Sequence, residues 1–190
     1  MFISEAANRH AYSALLDKIG PAYVMTHSQS GPYGWTIADA RPKLVKGVIA
    51  LEPGGPPFED TYPGVPRPAR RWGLTDNEIE YEPSAGVNGS ALRTVRRPAK
   101  NNETDSCLLQ AEPAKKLKNL SQVPVLVVTS EAGFHQLYEY CTVDYLRQGG
   151  VEVEFADLGK EGIHGNNHFM FMEKNNLVIA ERIHRWLKKL

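Results

Sequence analysis

The sequence predicts an α/β protein in which a mostly parallel sheet is flanked by helices, and three observations predict it. Apolar runs of strand length recur along the chain, segments with helical spacing separate them, and small-residue turns join strand ends to helix starts. Parallel neighbours cannot be joined by a hairpin, so strands alternating with helices imply crossover connections and a sheet buried on both faces.

The first helix is expected over residues 4–18, with Ala11, Leu15 and Ile19 as its apolar side and Gly20-Pro21 as its stop. Ala22-Tyr-Val-Met-Thr follows as a short buried strand. The turn His27-Ser-Gln-Ser-Gly-Pro leads into a helix from Tyr33 to Ala40, closed by Pro42. Leu44 to Leu51 is the next strand, mostly apolar, as strands buried on both faces tend to be.

From Glu52 to about Gln122 the texture changes. Most of the 13 prolines lie in or at the border of this stretch, and no period is sustained. The expectation is a cap-like insertion over residues 53–122 within a single domain spanning 1–190, because a structureless loop of that length is unusual unless functional. Order returns with a strand over 123–129, a helix from Gln136 to Gln148 ended by Gly149-Gly150, and a strand from Val151 to Leu158. A last helix over about 173–189 carries Leu177, Ala180, Ile183 and Leu187 on one stripe.

Composition narrows the function classes. With 190 residues, 42% of them apolar, the chain can build one real core. Lys plus Arg and Asp plus Glu both number 22, so the net charge is zero and no basic stripe points to nucleic acid. No apolar run reaches the length of a membrane span. The N-terminus lacks the basic start and apolar core of a signal peptide, so secretion is an expectation only for a longer native chain. The two cysteines, Cys107 and Cys141, match no zinc or redox spacing, and a disulfide between them is compatible with the sequence but not implied by it.

The chemistry concentrates in Tyr23-Val-Met-Thr-His-Ser-Gln-Ser-Gly, a strand running into a small-residue turn and then a helix. A Ser on such a sharp turn exposes its hydroxyl at the carboxyl edge of the sheet, and the next main-chain N–H, that of Gln29, is placed to stabilise an oxyanion. Small residues are needed two before and two after the nucleophile. Ser28 has Thr26 and Ser30 there; Ser30, the alternative, has Ser28 and Pro32. The candidate base is His168, in Gly162-Ile-His-Gly-Asn-Asn-His after the last strand, with His164 as its rival in the same loop. The carboxylate that would orient the imidazole is either Glu52 or Glu131, each at a strand end on the same edge, and spacing does not separate them. His10, His135 and His184 are expected to be structural or solvent-exposed, and His27 to shape the pocket. His164 and His168 stand four apart, but Gly-Asn-Asn between them argues against a helical metal site, so no metal is expected. Arg70-Arg71 and Arg96-Arg97 are expected to be solvated pairs, and Trp72 to plug the insertion onto the core.

Three blocks carry a resemblance: Ile19-Gly-Pro-Ala-Tyr-Val-Met-Thr-His-Ser-Gln-Ser-Gly-Pro, Gly47-Val-Ile-Ala-Leu-Glu-Pro-Gly, and Gly162-Ile-His-Gly-Asn-Asn-His-Phe-Met. In this order they resemble a bacterial and fungal group of α/β-hydrolase-fold esterases, and Trp72-Gly-Leu-Thr-Asp is similar to the fungal members. The resemblance implies Ser28 as nucleophile, His168 as base and Glu52, rather than Glu131, as acid. It implies a serine hydrolase acting on small-molecule carboxylic esters through an acyl-enzyme, with no cofactor. It also implies a partial α/β-hydrolase fold. That fold's elbow normally follows the fifth strand, whereas here it follows the first, so the front half and its second oxyanion N–H lie outside this chain. The open first strand makes a homodimer one expectation. The alternative function is a catalytically inactive hydrolase-like domain that binds or dimerises.

Overall fold

Four apolar segments pair side by side into one parallel sheet, and their shared direction is what assembles the site. In the computed structural model, which describes residues 2–61 and 66–190, the chain opens with α1 (Phe2–Ile19), β1 (Ala22–His27), α2 (Gly31–Ala40) and β2 (Val45–Leu51). The two-residue strands β3 (Glu59–Asp60), β4 (Arg67–Pro68) and β5 (Tyr81–Glu82) follow, then β6 (Thr94–Arg97), β7 (Cys107–Gln110) and the two-residue β8 (Lys116–Leu117). The chain closes with β9 (Val125–Thr129), α3 (Glu139–Gln148), β10 (Val153–Asp157) and α4 (Asn176–Leu187). This is an α/β fold.

The sheet order is β1-β2-β9-β10, and all three pairings are parallel. His27 pairs with Leu51, Leu51 with Val128, and Thr129 with Asp157. The carboxyl ends are therefore level, and the segments that leave β1, β2, β9 and β10 emerge at one edge, the usual place for a ligand crevice in such sheets.

Period-two alternation sends successive side chains to opposite faces. Val48, Ala50, Val125 and Val127 face one core with Trp35, Tyr145 and Leu146. Ile49, Leu51, Leu126 and Val128 face the other with Ile179, Ile183 and Trp186 of α4. The described part of residues 53–122 contains short antiparallel pairs, β3 with β4, β5 with β8 and β6 with β7. Its apolar residues Phe58, Trp72, Leu74, Ile79, Leu109 and Leu117 join the first core. A disulfide links Cys107 of β7 to Cys141 of α3, with Cα atoms 5.4 Å apart.

Two helix faces differ from expectation. In α1, Leu15 and Ile19 are exposed, and the buried positions are Glu5, Ser13 and Leu16. The reason is a distant partner: the Glu5 carboxylate accepts the main-chain N–H groups of Asp76 (3.1 Å) and Asn77 (3.0 Å). In α4 the buried stripe is Ile179, Ile183 and Trp186, while Leu177 is exposed. Among the described residues no helix is long and apolar enough to cross a membrane. Nor does any strand among them pair with the outer side of β1.

Candidate functional site

Ser28 leaves β1 at the start of a single 3-10 turn (Ser28–Ser30) that runs into α2. Its φ of 54° lies in the left-handed region, a conformation that non-glycine residues adopt mainly where surrounding structure enforces it. Close approach makes the turn depend on glycine one residue beyond the expected position. A Cβ on Gly31 would lie 2.4 Å from the Pro53 Cβ, and one on Gly34 would lie 3.0 Å from the Thr26 Cγ2. Ser30 closes the turn instead of facing the cleft: its Oγ donates to the His27 carbonyl (2.7 Å) and accepts the His27 N–H (2.9 Å).

Glu52 directly follows β2, also at positive φ (39°), and is fully buried. Its Oε2 lies 2.6 Å from His168 Nδ1, and His168 Nε2 lies 2.9 Å from Ser28 Oγ. The other carboxylate oxygen, Oε1, accepts from the Ser130 N–H (2.8 Å), the Ser130 hydroxyl and the Thr129 hydroxyl. Burial pushes this carboxyl up, but the Ser130 hydrogen bonds, His135 and His168 together hold it below the ordinary range. An ionised carboxylate only accepts, so His168 Nδ1 carries the hydrogen. Nε2 is then left as the acceptor facing the Ser28 hydroxyl.

The two alternatives for acid and base, Glu131 and His164, are brought to each other and not to Ser28. Glu131 Oε1 meets His164 Nδ1 at 2.7 Å, and Oε2 accepts the Gly165 N–H at 2.7 Å. Both residues are exposed. Together with Asn166, whose Oδ1 accepts the Glu131 N–H (2.8 Å), they tie the loop bearing His168 to the segment after β9. His27 donates from Nε2 to the His168 carbonyl (2.9 Å), and burial holds its ring below the usual histidine range.

His135, expected to be structural or solvent-exposed, is buried against His168. Its side chain is buried, its Nδ1 pairs with the buried Glu139 carboxylate at 2.7 Å, and its ring stacks on that of His168 at 5.1 Å with planes 9° apart. The i, i+4 spacing of His135 and Glu139 was the available signal, but only packing brings the pair to the imidazole. Phe134 and Phe169 add ring contacts to His168, at 4.9 and 5.3 Å. His10 and His184 are exposed.

Glu52, His135 and His168 offer ligand atoms within 4.8 Å of one another. Their geometry suits hydrogen bonding rather than a metal, because the Glu52 oxygens, His168 Nδ1 and His135 Nδ1 already have partners. A cleft of about 430 Å³ opens over Ser28, Gln29 and His168, walled by Tyr138, Phe169 and Arg70. Arg70 is buried, contrary to the expected solvated pair, while Arg71 is exposed.

Two expectations follow from Glu52. Its lowered folded-state pKa means that the unfolded chain takes up the proton first as pH falls. The stability it supplies is therefore present above the ordinary carboxylate value of about 4.3 and is lost as pH drops through the lower folded value. Urea unfolding of Glu52→Gln is expected to lose less stability than wild type between about pH 6 and pH 3. Parallel losses in the two proteins would refute this. In addition, a Cβ on Gly133 would lie 2.3 Å from Glu52 Oε1 and 2.4 Å from Ser130 Oγ. Gly133→Ala is expected to displace the carboxylate and cost about 1–3 kcal/mol of stability through overpacking, which urea unfolding would check.

No protein-family model matches the chain. It is 63% identical over 187 residues to a protein named probable secreted lipase phiG, from a fungal species (strain ATCC 74256). That match covers 98% of this chain and 51% of the relative, so the chain spans about half the length of the curated protein it matches. In fold it is similar to a bacterial esterase solved at atomic resolution, with a TM-score of 0.55 and 20% identity, covering 94% of this chain and 41% of that one. The chain is thus similar, along nearly all of its length, to about half of a fungal protein named a probable secreted lipase and, in fold, to part of a bacterial esterase structure.

Proposed function

We propose that the chain carries the catalytic residues of a carboxylic ester hydrolase of the α/β-hydrolase type, with residues 53–122 as its cap-like insertion. The observation that carries this reading is the continuous hydrogen-bonded series Ser28 Oγ, His168 Nε2, His168 Nδ1, Glu52 Oε2 at the carboxyl edge of the sheet. Ser28 Oγ attacks the ester carbonyl carbon as its proton passes to His168 Nε2, and the main-chain N–H of Gln29 receives the developing oxyanion. The tetrahedral adduct collapses, His168 returns the proton to the departing alcohol, and an acyl-Ser28 remains. Water activated by the same imidazole then releases the acid. Glu52 keeps Nδ1 protonated and stabilises the imidazolium throughout, aided by its bonds from Ser130. No cofactor takes part in these steps.

Labelling with a fluorophosphonate probe tests the proposal, with Ser28→Ala and Ser30→Ala as comparisons. Labelling of wild type and Ser30→Ala but not of Ser28→Ala supports it. Absence of labelling in the folded wild-type chain, or labelling that survives Ser28→Ala, would overturn it.

A further inference from the structure

The wall of the cleft holds a buried cation that the proposed steps do not use. Arg70 is 3% exposed and lines the cleft together with Ser28 and His168. Its φ of 46° is left-handed, so Ser28, Glu52 and Arg70 are three of the five non-glycine residues with positive φ among those described. The conformation is held by the Asp76 carboxylate, which accepts the Arg70 N–H at 2.9 Å, and by the Gly73 N–H, which donates to the Arg70 carbonyl at 2.8 Å. Neighbouring Arg71 faces solvent while Arg70 turns inward.

A guanidinium presents five N–H donors and no acceptor. Here Nε (3.3 Å) and Nη2 (3.2 Å) both donate to one oxygen, the carbonyl of Pro56. Arg70 makes no ion pair among the described residues, and the carboxylates of Asp60, Asp76 and Glu5 act on it only at longer range. Asp60 lines the same cleft, but its carboxylate pairs with Arg67 at 3.1 Å. Buried charges in folded proteins are normally paired, because removing one from water is expensive without a counter-charge. A buried, under-partnered guanidinium facing a substrate cleft calls for a counter-charge from the ligand, and its planar fork matches a carboxylate.

We propose that Arg70 binds a free carboxylate of the substrate, so that the ester cleaved at Ser28 is a half-ester or otherwise carries a second, unesterified carboxylate. The charge count favours a monoanion: Asp60 is paired with Arg67, so the wall offers the one positive charge of Arg70, and Phe134, Tyr138 and Phe169 are ring surfaces. A phosphate dianion would meet too little positive charge there. This assignment rests on the ester-hydrolase reading for its catalytic consequence, and its binding consequence is separable.

Two measurements on the full chain test it. The first compares kcat/KM for mono-p-nitrophenyl adipate with that for p-nitrophenyl 6-methylheptanoate, in which an isopropyl group stands in place of the carboxylate. Wild type is expected to prefer the adipate ester by about ten- to a hundredfold, the worth of a charge-assisted hydrogen bond, and Arg70→Met to lose that preference. Arg70→Lys, which keeps the charge but not the fork, is expected to keep part of it. The second measurement is thermal unfolding of Ser28→Ala with adipate, with adipamide and with inorganic phosphate. Adipate alone is expected to raise Tm, and the rise to vanish when Arg70→Met is added. If Arg70→Met does not fold, the wild-type ester preference and the adipate shift still decide the matter. Hydrolysis of both esters at equal rates, or no adipate shift, would overturn the proposal, and stabilisation by phosphate as strong as by adipate would overturn its carboxylate assignment. An adipate shift that depends on Arg70, in a chain that hydrolyses neither ester, would sustain the carboxylate site while removing the esterase reading.

Discussion

Ser28→Ala is expected to lower kcat for p-nitrophenyl butyrate on the order of ten-thousand- to a million-fold, while the stability of the chain changes by less than about 1 kcal/mol. The size follows from what the hydroxyl does in the proposed reaction: it forms the acyl bond, so no neighbour substitutes for it. Ser30 Oγ is held by both main-chain polar groups of His27 and is not free to attack. His168→Ala is expected to lose nearly as much, and Ser28→Ala with His168→Ala together little more than either alone, because serine and imidazole act as one unit. Steady-state kinetics of the three variants, with urea unfolding as the stability control, checks this. An additive double variant would show that the two side chains work independently, contrary to the 2.9 Å hydrogen bond between them.

Replacing both Cys107 and Cys141 with serine is expected to cost about 3–4 kcal/mol of stability. The bond closes a loop with a sequence separation of 34, and the entropy that it removes from the unfolded chain grows with that length. Both positions are buried, so the serine hydroxyls would also enter an apolar setting. The bond joins β7, in the proline-rich stretch, to α3, and just before α3 lie His135 and Tyr138 of the cleft. The double variant is therefore expected to show a lower urea midpoint with a somewhat larger slope, since the unfolded chain without the cross-link exposes more surface, and reduction of wild type a comparable loss. An unchanged midpoint would mean that the α3 packing alone holds this segment.

How much of the molecule is legible in its sequence depends on the range of the interactions involved. Strands β2 and β9 are legible because a strand buried on both faces must be continuously apolar, whatever surrounds it. The turn at Ser28 is legible because a sharp strand-to-helix bend needs small residues in a row. Even so, the glycines that make the bend possible are Gly31 and Gly34, each placed against a residue distant in sequence or on the preceding strand. The helix faces are less legible. Leu15 and Ile19 look like a core stripe, yet α1 turns Glu5 inward to serve the N–H groups of Asp76 and Asn77, and spacing holds no record of so remote a partner.

Hydrophobic pattern and turn chemistry alone give the α/β class, the order of strands and helices before and after residues 53–122, and a short set of hydroxyl, imidazole and carboxylate candidates. Those are local properties, written in hydrophobic period and turn chemistry. Spacing leaves the two acids open and the resemblance points to Glu52; which side chains meet is a matter of the tertiary structure. It sent Glu52 to His168 and Glu131 to His164, although both acids follow strands that end at the same edge. It closed Cys107 onto Cys141, laid His135 under the catalytic candidate's ring, and buried Arg70 beside an exposed Arg71. The physical reason is common to all four: each is a contact between segments far apart in sequence, or depends on one, and such contacts are set by how the level strand ends and the returning loops pack.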